Sequence, residues 1–207
     1  MQETTMKAVI LAGGQSSRMG TPKELLRWRG GTILSELIKE VRALGLECLV
    51  VSNTPERLKR EDIESSEVQV TPDLVPSAGP VSGIVTAFRA TEEDVLLLLS
   101  CDLPFMDRGQ MEKLIQFAKG WKDWDVVAVK QNGRLHPLCA LYHRRTQPLW
   151  EQALLEGQYR VMHTLDRLRV HTTPEDLLEE WAAFNANTPE EYQAALALEK
   201  KRKREDG

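Results

Sequence analysis

Two short segments carry residue types that could do phosphate chemistry. The first reads Leu11-Ala12-Gly13-Gly14-Gln15-Ser16-Ser17-Arg18-Met19-Gly20-Thr21-Pro22-Lys23. Three glycines let the backbone approach a ligand closely, and successive free N–H groups after a strand form an anion nest. Arg18 can fork onto phosphate oxygens and Lys23 adds a point charge. The loop matches neither the Walker spacing nor Gly-x-Gly-x-x-Gly. Its plain alternative is a glycine-rich turn with two solvated cations. The second segment, Ser100-Cys101-Asp102-Leu103-Pro104-Phe105, puts a carboxylate after an apolar run, where Pro104 ends the strand. A carboxylate at the end of a central strand faces the crevice where doubly wound sheets bind ligands. With nucleotide phosphates it makes a common Mg²⁺ arrangement; alone, it could equally be a helix cap or turn residue.

These segments need a scaffold. Strands are expected at 7–12, 48–52, 68–71, 95–100 and 125–130, and the first, second and fourth are nearly continuous apolar runs. Strands covered on both faces read this way, which implies a mostly parallel sheet. Helical patterns occupy 34–44, 81–90 and 110–119, so the expectation is a single-domain, Rossmann-like, doubly wound α/β fold. Asn132-Gly133 predicts a tight hairpin that adds an antiparallel strand over 137–142. Helices are expected at 146–155 and 160–168, another opening at Pro174, and a last one with Pro189 at its first position.

Composition bounds the function. At 207 residues, 42% hydrophobic and 28% charged, the chain reads as an ordinary globular domain. A net charge of −4 argues against non-specific nucleic-acid binding. No apolar run is long enough to cross a bilayer, and residues 1–6 lack signal-peptide features, so a cytoplasmic protein is expected. Cys48, Cys101 and Cys139 form no CxxC pair, which points away from disulfides and zinc. Cys101 reads as a packed strand-end thiol, and His143, His163 and His171 as surface or packing residues. The five tryptophans are expected to pack in cores or grooves. Five bases at 200–204 read as a solvated helix end that complements the dipole.

Leu-Ala-Gly-Gly-x-Ser-x-Arg-Met-Gly, with Lys23 downstream, resembles the signature of the molybdenum cofactor guanylyltransferases, within the nucleotidyltransferase superfamily. The likeness continues through Asn53, through Asp73 before Gly79-Pro80-Val81-Ser82-Gly83, and through Cys101-Asp102-Leu103-Pro104. Arg134-Leu135-His136-Pro137, Arg160-Val161-Met162 and the closing Asn185-Ala186-Asn187-Thr188-Pro189 extend it. The resemblance implies transfer of GMP from GTP to molybdenum-molybdopterin, with release of pyrophosphate. By position, Leu11, Ala12 and Gly13 would read the base with Asn53 and Asp73, and Gly79 would complete the nucleotide site. Gly14, Arg18 and Lys23 would hold the triphosphate, and Asp102 would bind Mg²⁺, making Arg18, Lys23 and Asp102 the catalytic set. His136, Arg160, Asn185 and Asn187 would face molybdopterin. For His136 a turn histidine satisfied by backbone is the other reading, and for Asn185 and Asn187 a helix cap. The resemblance also implies a nucleotidyltransferase domain over 1–198 with a charged tail at 199–207, and transient contacts with cofactor-biosynthesis and acceptor proteins. One departure stands out: Pro22-Lys23 replaces the Asp-Lys of guanylyl members and looks more like the cytidylyl branch. The alternatives are therefore a cytidylyltransferase using CTP, or a non-catalytic nucleotide-binding or cofactor-binding adaptor.

Overall fold

A computed structural model describes residues 4–13, 22–58, 68–76 and 78–205. Gly14 and Arg18 of the first loop lie outside the described residues.

Seven strands form the main sheet: β1 (Met6–Ala12), β4 (Cys48–Ser52), β5 (Gln69–Pro72), β6 (Val95–Ser100), β7 (Val126–Gln131), β8 (Arg134–His143) and β9 (Val170–Thr172). Their order is β5-β4-β1-β6-β8-β7-β9. All neighbours pair parallel except β8, which runs antiparallel to both β6 and β7. The mostly parallel α/β sheet with one added antiparallel strand agrees with the sequence reading. Asn132 and Gly133 both take positive φ, at 53° and 69°, as the two-residue turn demands. Pro137 sits where the β7–β8 register shifts, at a bulge that spares the ladder an absent donor.

The period-2 alternation of β1 divides the core. Ala8, Ile10 and Ala12 face α1 (Ile33–Ala43) and α3 (Arg108–Lys119), packing on Leu37, Ile38, Val41, Met111 and Leu114. Val9 and Leu11 face α2 (Gly79–Arg89), α4 (Gln147–Leu155) and α5 (Val161–Leu165), through Ile84, Val85, Phe88 and Trp150. Truncating a fully buried leucine here, such as Leu97, costs about 2–5 kcal/mol. Helix α1 starts where it does because Thr32 and Ser35 form a reciprocal capping box. A third cluster of Leu26, Trp28, Ile33, Phe105, Ala186 and Ala195 lies outside this sandwich.

Several expectations are corrected. No helix opens at Pro174; residues 174–184 form turns. Their backbone groups find side-chain partners instead: Gln110 Oε1 accepts from Glu179 N, Gln131 Nε2 donates to Glu179 O, and Gln131 Oε1 accepts from Ala183 N. The short hairpin β2 (Arg27–Trp28) to β3 (Gly31–Thr32) and strand β9 carry no periodic signal and went unpredicted. His136 lies within β8 rather than in a turn. Trp121 is 44% exposed and stacks on His171 instead of packing in a core. Helix α6 (Pro189–Glu205) runs on through the basic residues, where Arg202 pairs with Glu179 and lies over the Phe105 ring rather than staying wholly solvated. Among the described residues no helix is long and apolar enough to cross a membrane.

At the end of the sheet remote from the loops after β1, β4 and β6, Asp125 accepts from Arg145 Nε (2.6 Å) and from Arg169 Nε, Nη2 and backbone N. Burial alone would push this carboxyl up, but the hydrogen bonds from Arg169 and Arg145 together outweigh it and hold it well below the usual range. A depressed carboxyl stabilises the fold above its unfolded value near ~3.9, and that contribution is lost as pH falls through this value toward the folded one. Asp125→Asn should therefore lower the melting midpoint at pH 7 by about 3–6 °C, with the gap to the native chain closing below pH ~4. Thermal denaturation across that range checks it, and a gap independent of pH would contradict it.

Candidate active site

The carboxyl ends of β1, β4 and β6 lie side by side, and β1 is where strand order turns from one side of the sheet to the other. Ligands of open α/β sheets bind at such a point. Cys101 N donates to Leu11 O at 3.1 Å, so the loops after β1 and β6 are tied directly.

The first cleft, of about 480 Å³, opens here. Leu11, Gly13, Asn53, Asp73, Gly79 and Ser100 line it, alongside apolar Val51, Pro80 and Leu138. Gly13 backs onto Asn53 so closely that a Cβ at position 13 would lie 2.9 Å from Asn53 Nδ2. Gly83 likewise faces Leu11, where a Cβ would come within 3.1 Å of the leucine methyl. Gly79, at φ +67°, turns the chain into α2. Asp73 is held by groups the sequence reading did not single out. Its Oδ1 accepts from Ser82 Oγ, from Thr86 Oγ1 (3.1 Å) and from Val75 N (3.4 Å). Ser82 and Thr86 also accept from Val75 N and Leu74 N, which locks the loop. The signal was available: Ser82 and Thr86 stand four apart on one face of a helix that begins at Gly79.

A second cleft, of about 370 Å³, lies against β8 and the closing segment. Arg134, His136, Trp181, Phe184, Asn185 and Asn187 line it. Burial pushes the His136 imidazole below its ordinary value, only partly offset by hydrogen bonding at the Gln131 backbone and Asn185, so the ring is neutral near pH 7. Arg160 is not in this wall. It precedes α5, and the carbonyl of its neighbour Tyr159 would lie 3.7 Å from a Cβ on Gly79, beside the first cleft.

Asp102 stands between residues of the two clefts: Ser100, two residues before it, lines the first, and Asn185, which donates to it, lines the second. Its side chain is only 6% exposed. Lys23 Nζ donates to Asp102 Oδ2 at 2.8 Å and to Asn187 Oδ1, while Asn185 Nδ2 donates to Asp102 Oδ1 at 2.7 Å. Ala186 N donates to Asp102 O at 2.9 Å. The closing Asn-x-Asn segment thus reaches both Lys23 and Asp102. It is presented by a capping box at the start of α6, where Thr188 Oγ1 accepts from Glu191 N and Glu191 Oε2 accepts from Thr188 N and Asn187 N. Asn187 and Asn185 are not the cap; Thr188 is. Threonine three residues before glutamate is a readable signal of that start.

Among the described residues no three His, Cys, Asp or Glu side chains cluster as metal ligands. A cation at Asp102 would rest on one protein carboxylate. Lys23 donates to one of its oxygens and Asn185 to the other, and a carboxylate oxygen has room for a second partner. That donor set fits Mg²⁺, which keeps several waters and takes one or two carboxylates plus phosphates.

The comparisons with known proteins bear on the family and the fold. Residues 8–172 match the model of the MobA-like NTP transferase domain. A Bacillus subtilis protein named "Probable molybdenum cofactor guanylyltransferase" is 36% identical over 188 residues, 89% of this chain and 91% of that one. A protein of the same name from Carboxydothermus hydrogenoformans is 30% identical over 96% of this chain and 98% of its own. Among solved structures, molybdopterin-guanine dinucleotide biosynthesis protein A from Archaeoglobus fulgidus superposes with a TM-score of 0.78 at 24% identity, covering 94% of this chain and 99% of that one. A CMP:2-keto-3-deoxy-manno-octonic acid synthetase with CTP bound superposes at 0.71 with 16% identity, covering 96% and 100%, so the fold by itself does not choose the base. With four-fifths of its length in that family model, the chain belongs to the MobA-like NTP transferases and is a nucleotidyltransferase.

Proposed function

We propose that the enzyme transfers GMP from GTP to the terminal phosphate of molybdenum-bound molybdopterin, forming the guanine dinucleotide cofactor and releasing pyrophosphate. The observation that carries this reading is the Lys23–Asp102–Asn187 contact, whose chain neighbours and partners line a nucleotide-sized cleft on one side and a second cleft of aromatic and hydrogen-bonding groups on the other. A phosphate oxygen of the acceptor attacks the α-phosphorus, a new P–O bond forms, and the bond to the β-phosphate oxygen breaks with its electron pair leaving on pyrophosphate. The attacking oxygen is already anionic, so alignment and charge neutralisation carry the rate rather than a general base.

Each group has a place in that scheme. Lys23 leaves Asp102 or Asn187 for the β- and γ-phosphates and offsets the charge that develops on the leaving group. Arg18 and the Gly14 amide of the same loop serve the triphosphate. Asp102 would hold Mg²⁺, which supplies charge neutralisation at the phosphates. Leu11, Ala12 and Gly13 present backbone groups to the base, with Asn53 and the fixed carboxylate of Asp73. In the second cleft His136, neutral and tied to Asn185, orients the acceptor together with Asn187. Arg160, whose neighbour Tyr159 lies beside Gly79, would serve the acceptor. Relatives named as guanylyltransferases support the acceptor and the base.

Asp102→Ala should cut pyrophosphate release at least about a hundredfold, with the melting midpoint within a few degrees of the native chain. Near-normal turnover in Mg²⁺ would remove Asp102 from the mechanism. Lys23→Ala should slow the same assay by about two orders of magnitude, while exposed Lys200→Ala leaves it unchanged. Equal losses would refute the phosphate role.

Base choice is tested separately. At Gly13 the absence of a Cβ keeps Asn53 in place, and an alanine there would drive the amide aside. GTP should therefore exceed CTP in kcat/KM by about a hundredfold or more, because buried polar groups left unpaired reject the wrong base. Gly13→Ala should shrink that ratio. Pro22-Lys23 favours the cytidylyl reading, and CTP turnover matching GTP would establish it instead.

A further inference from the structure

Helix α6 touches the lysine loop at three separate places. At its start Asn187 holds Lys23 Nζ. One turn on, Tyr192 Oη donates to Arg27 O at 2.6 Å. Two turns further, Glu199 takes both arms of Arg29, with Nε to Oε1 at 2.8 Å and Nη2 to Oε2 at 3.1 Å. Forked contacts of this kind fix orientation as well as distance.

The geometry between these anchors leaves the loop little freedom. Lys23–Leu25 is one 3-10 turn, closed by Leu26 N donating to Lys23 O, and Leu26 O in turn accepts from Ile33 N. Leu26, Trp28 and Ile33 then pack on Ala186 and Ala195 of the closing segment. Arg29 stands at φ +51°, a left-handed conformation that a non-glycine residue keeps where its surroundings over-determine it. Glu199 is 8% exposed, and burial, which opposes its charge, is outweighed by the Arg29 bonds and nearby cations that hold its carboxyl below the ordinary range. A buried carboxylate committed to a turn arginine, with neither residue lining a cleft, is otherwise an expensive way to tie down a hairpin. The segment that supplies it, like Asn185 and Asn187, lies beyond residues 8–172 of the family match.

We propose that Glu199, with Tyr192 in support, is a positioning residue for Lys23: through Arg29 and Arg27 it sets the height of the lysine loop over Asp102. The proposal rests on the phosphate role of Lys23 given above. It makes helix α6 part of the nucleotide site without contact with the nucleotide. A residue acting through Lys23 has nothing to act on once Lys23 is gone, whereas a general structural tie weakens any variant alike.

The test is a double-mutant cycle on nucleotide affinity, measured calorimetrically on the full chain in Mg²⁺ with GTP, and with CTP in parallel so that an error in the base is visible. Glu199→Gln should weaken binding about fivefold to tenfold in the native background and less than twofold in Lys23→Ala. Tyr192→Phe, which keeps the ring and removes only the bond to Arg27, should follow the same pattern at about threefold, and serves if Glu199→Gln does not fold. Losses that multiply in the double variants, or unchanged affinity in folded Glu199→Gln and Tyr192→Phe, would overturn the positioning role while leaving Lys23 in its place. Native affinity in Lys23→Ala alone would overturn the phosphate reading first, and this proposal with it.

Discussion

The lysine–carboxylate pair of Lys23 and Asp102 is the contact on which the rest of the site depends. It joins chain segments 79 residues apart, and through Asn187 it extends to a third, 164 residues from the lysine. With side chains 20% and 6% exposed, the pair is sheltered and less screened by salt than a surface pair, so it holds its two loops together. An exposed pair would contribute little and position nothing. The sheet brings the two residues to one edge: β1 and β6 are neighbours in parallel register, so their carboxyl ends, and the loops that follow, share a crevice.

Much of the scaffold was legible because its signals are local. The apolar runs of β1, β4 and β6, the periodic faces of α1 and α3, and the Asn132-Gly133 turn each announce themselves within a few residues. The elements that went unread have the opposite character. A two-residue strand such as β2 has no period to detect. At Pro174 the helix signal was real, but Gln110 and Gln131 meet the segment's backbone groups from 48 to 69 residues away. No local pattern reports such partners.

The same division runs through the site. Glycines, Lys23, Asn53, Asp73 and Asp102 follow strands, and their type and place can be read directly from the chain. What each touches cannot. The family resemblance implies that Asn185 and Asn187 face the acceptor; the structure binds them to Asp102 and Lys23. Ser82 and Thr86 looked like ordinary helix residues until Asp73 was placed against them. The bases at 200–204 read as a solvated helix end, yet Arg202 lies over the Phe105 ring, and Tyr192 and Leu196 of α6 pack against the same cluster. The Asp102 carboxylate is thus framed by residues that come late in the sequence, beyond residues 8–172 of the family match.

The central claim is that the two clefts, with Asp102 between them, hold a nucleotide and a phosphate acceptor for direct transfer. The most direct measurement follows the atoms: GTP labelled at the α-phosphorus is incubated with the enzyme, Mg²⁺ and molybdenum-molybdopterin, and the products are separated. The account predicts one α-label per dinucleotide formed, with none in the released pyrophosphate. Label found only in free GMP, or no transfer although both substrates bind, would contradict it.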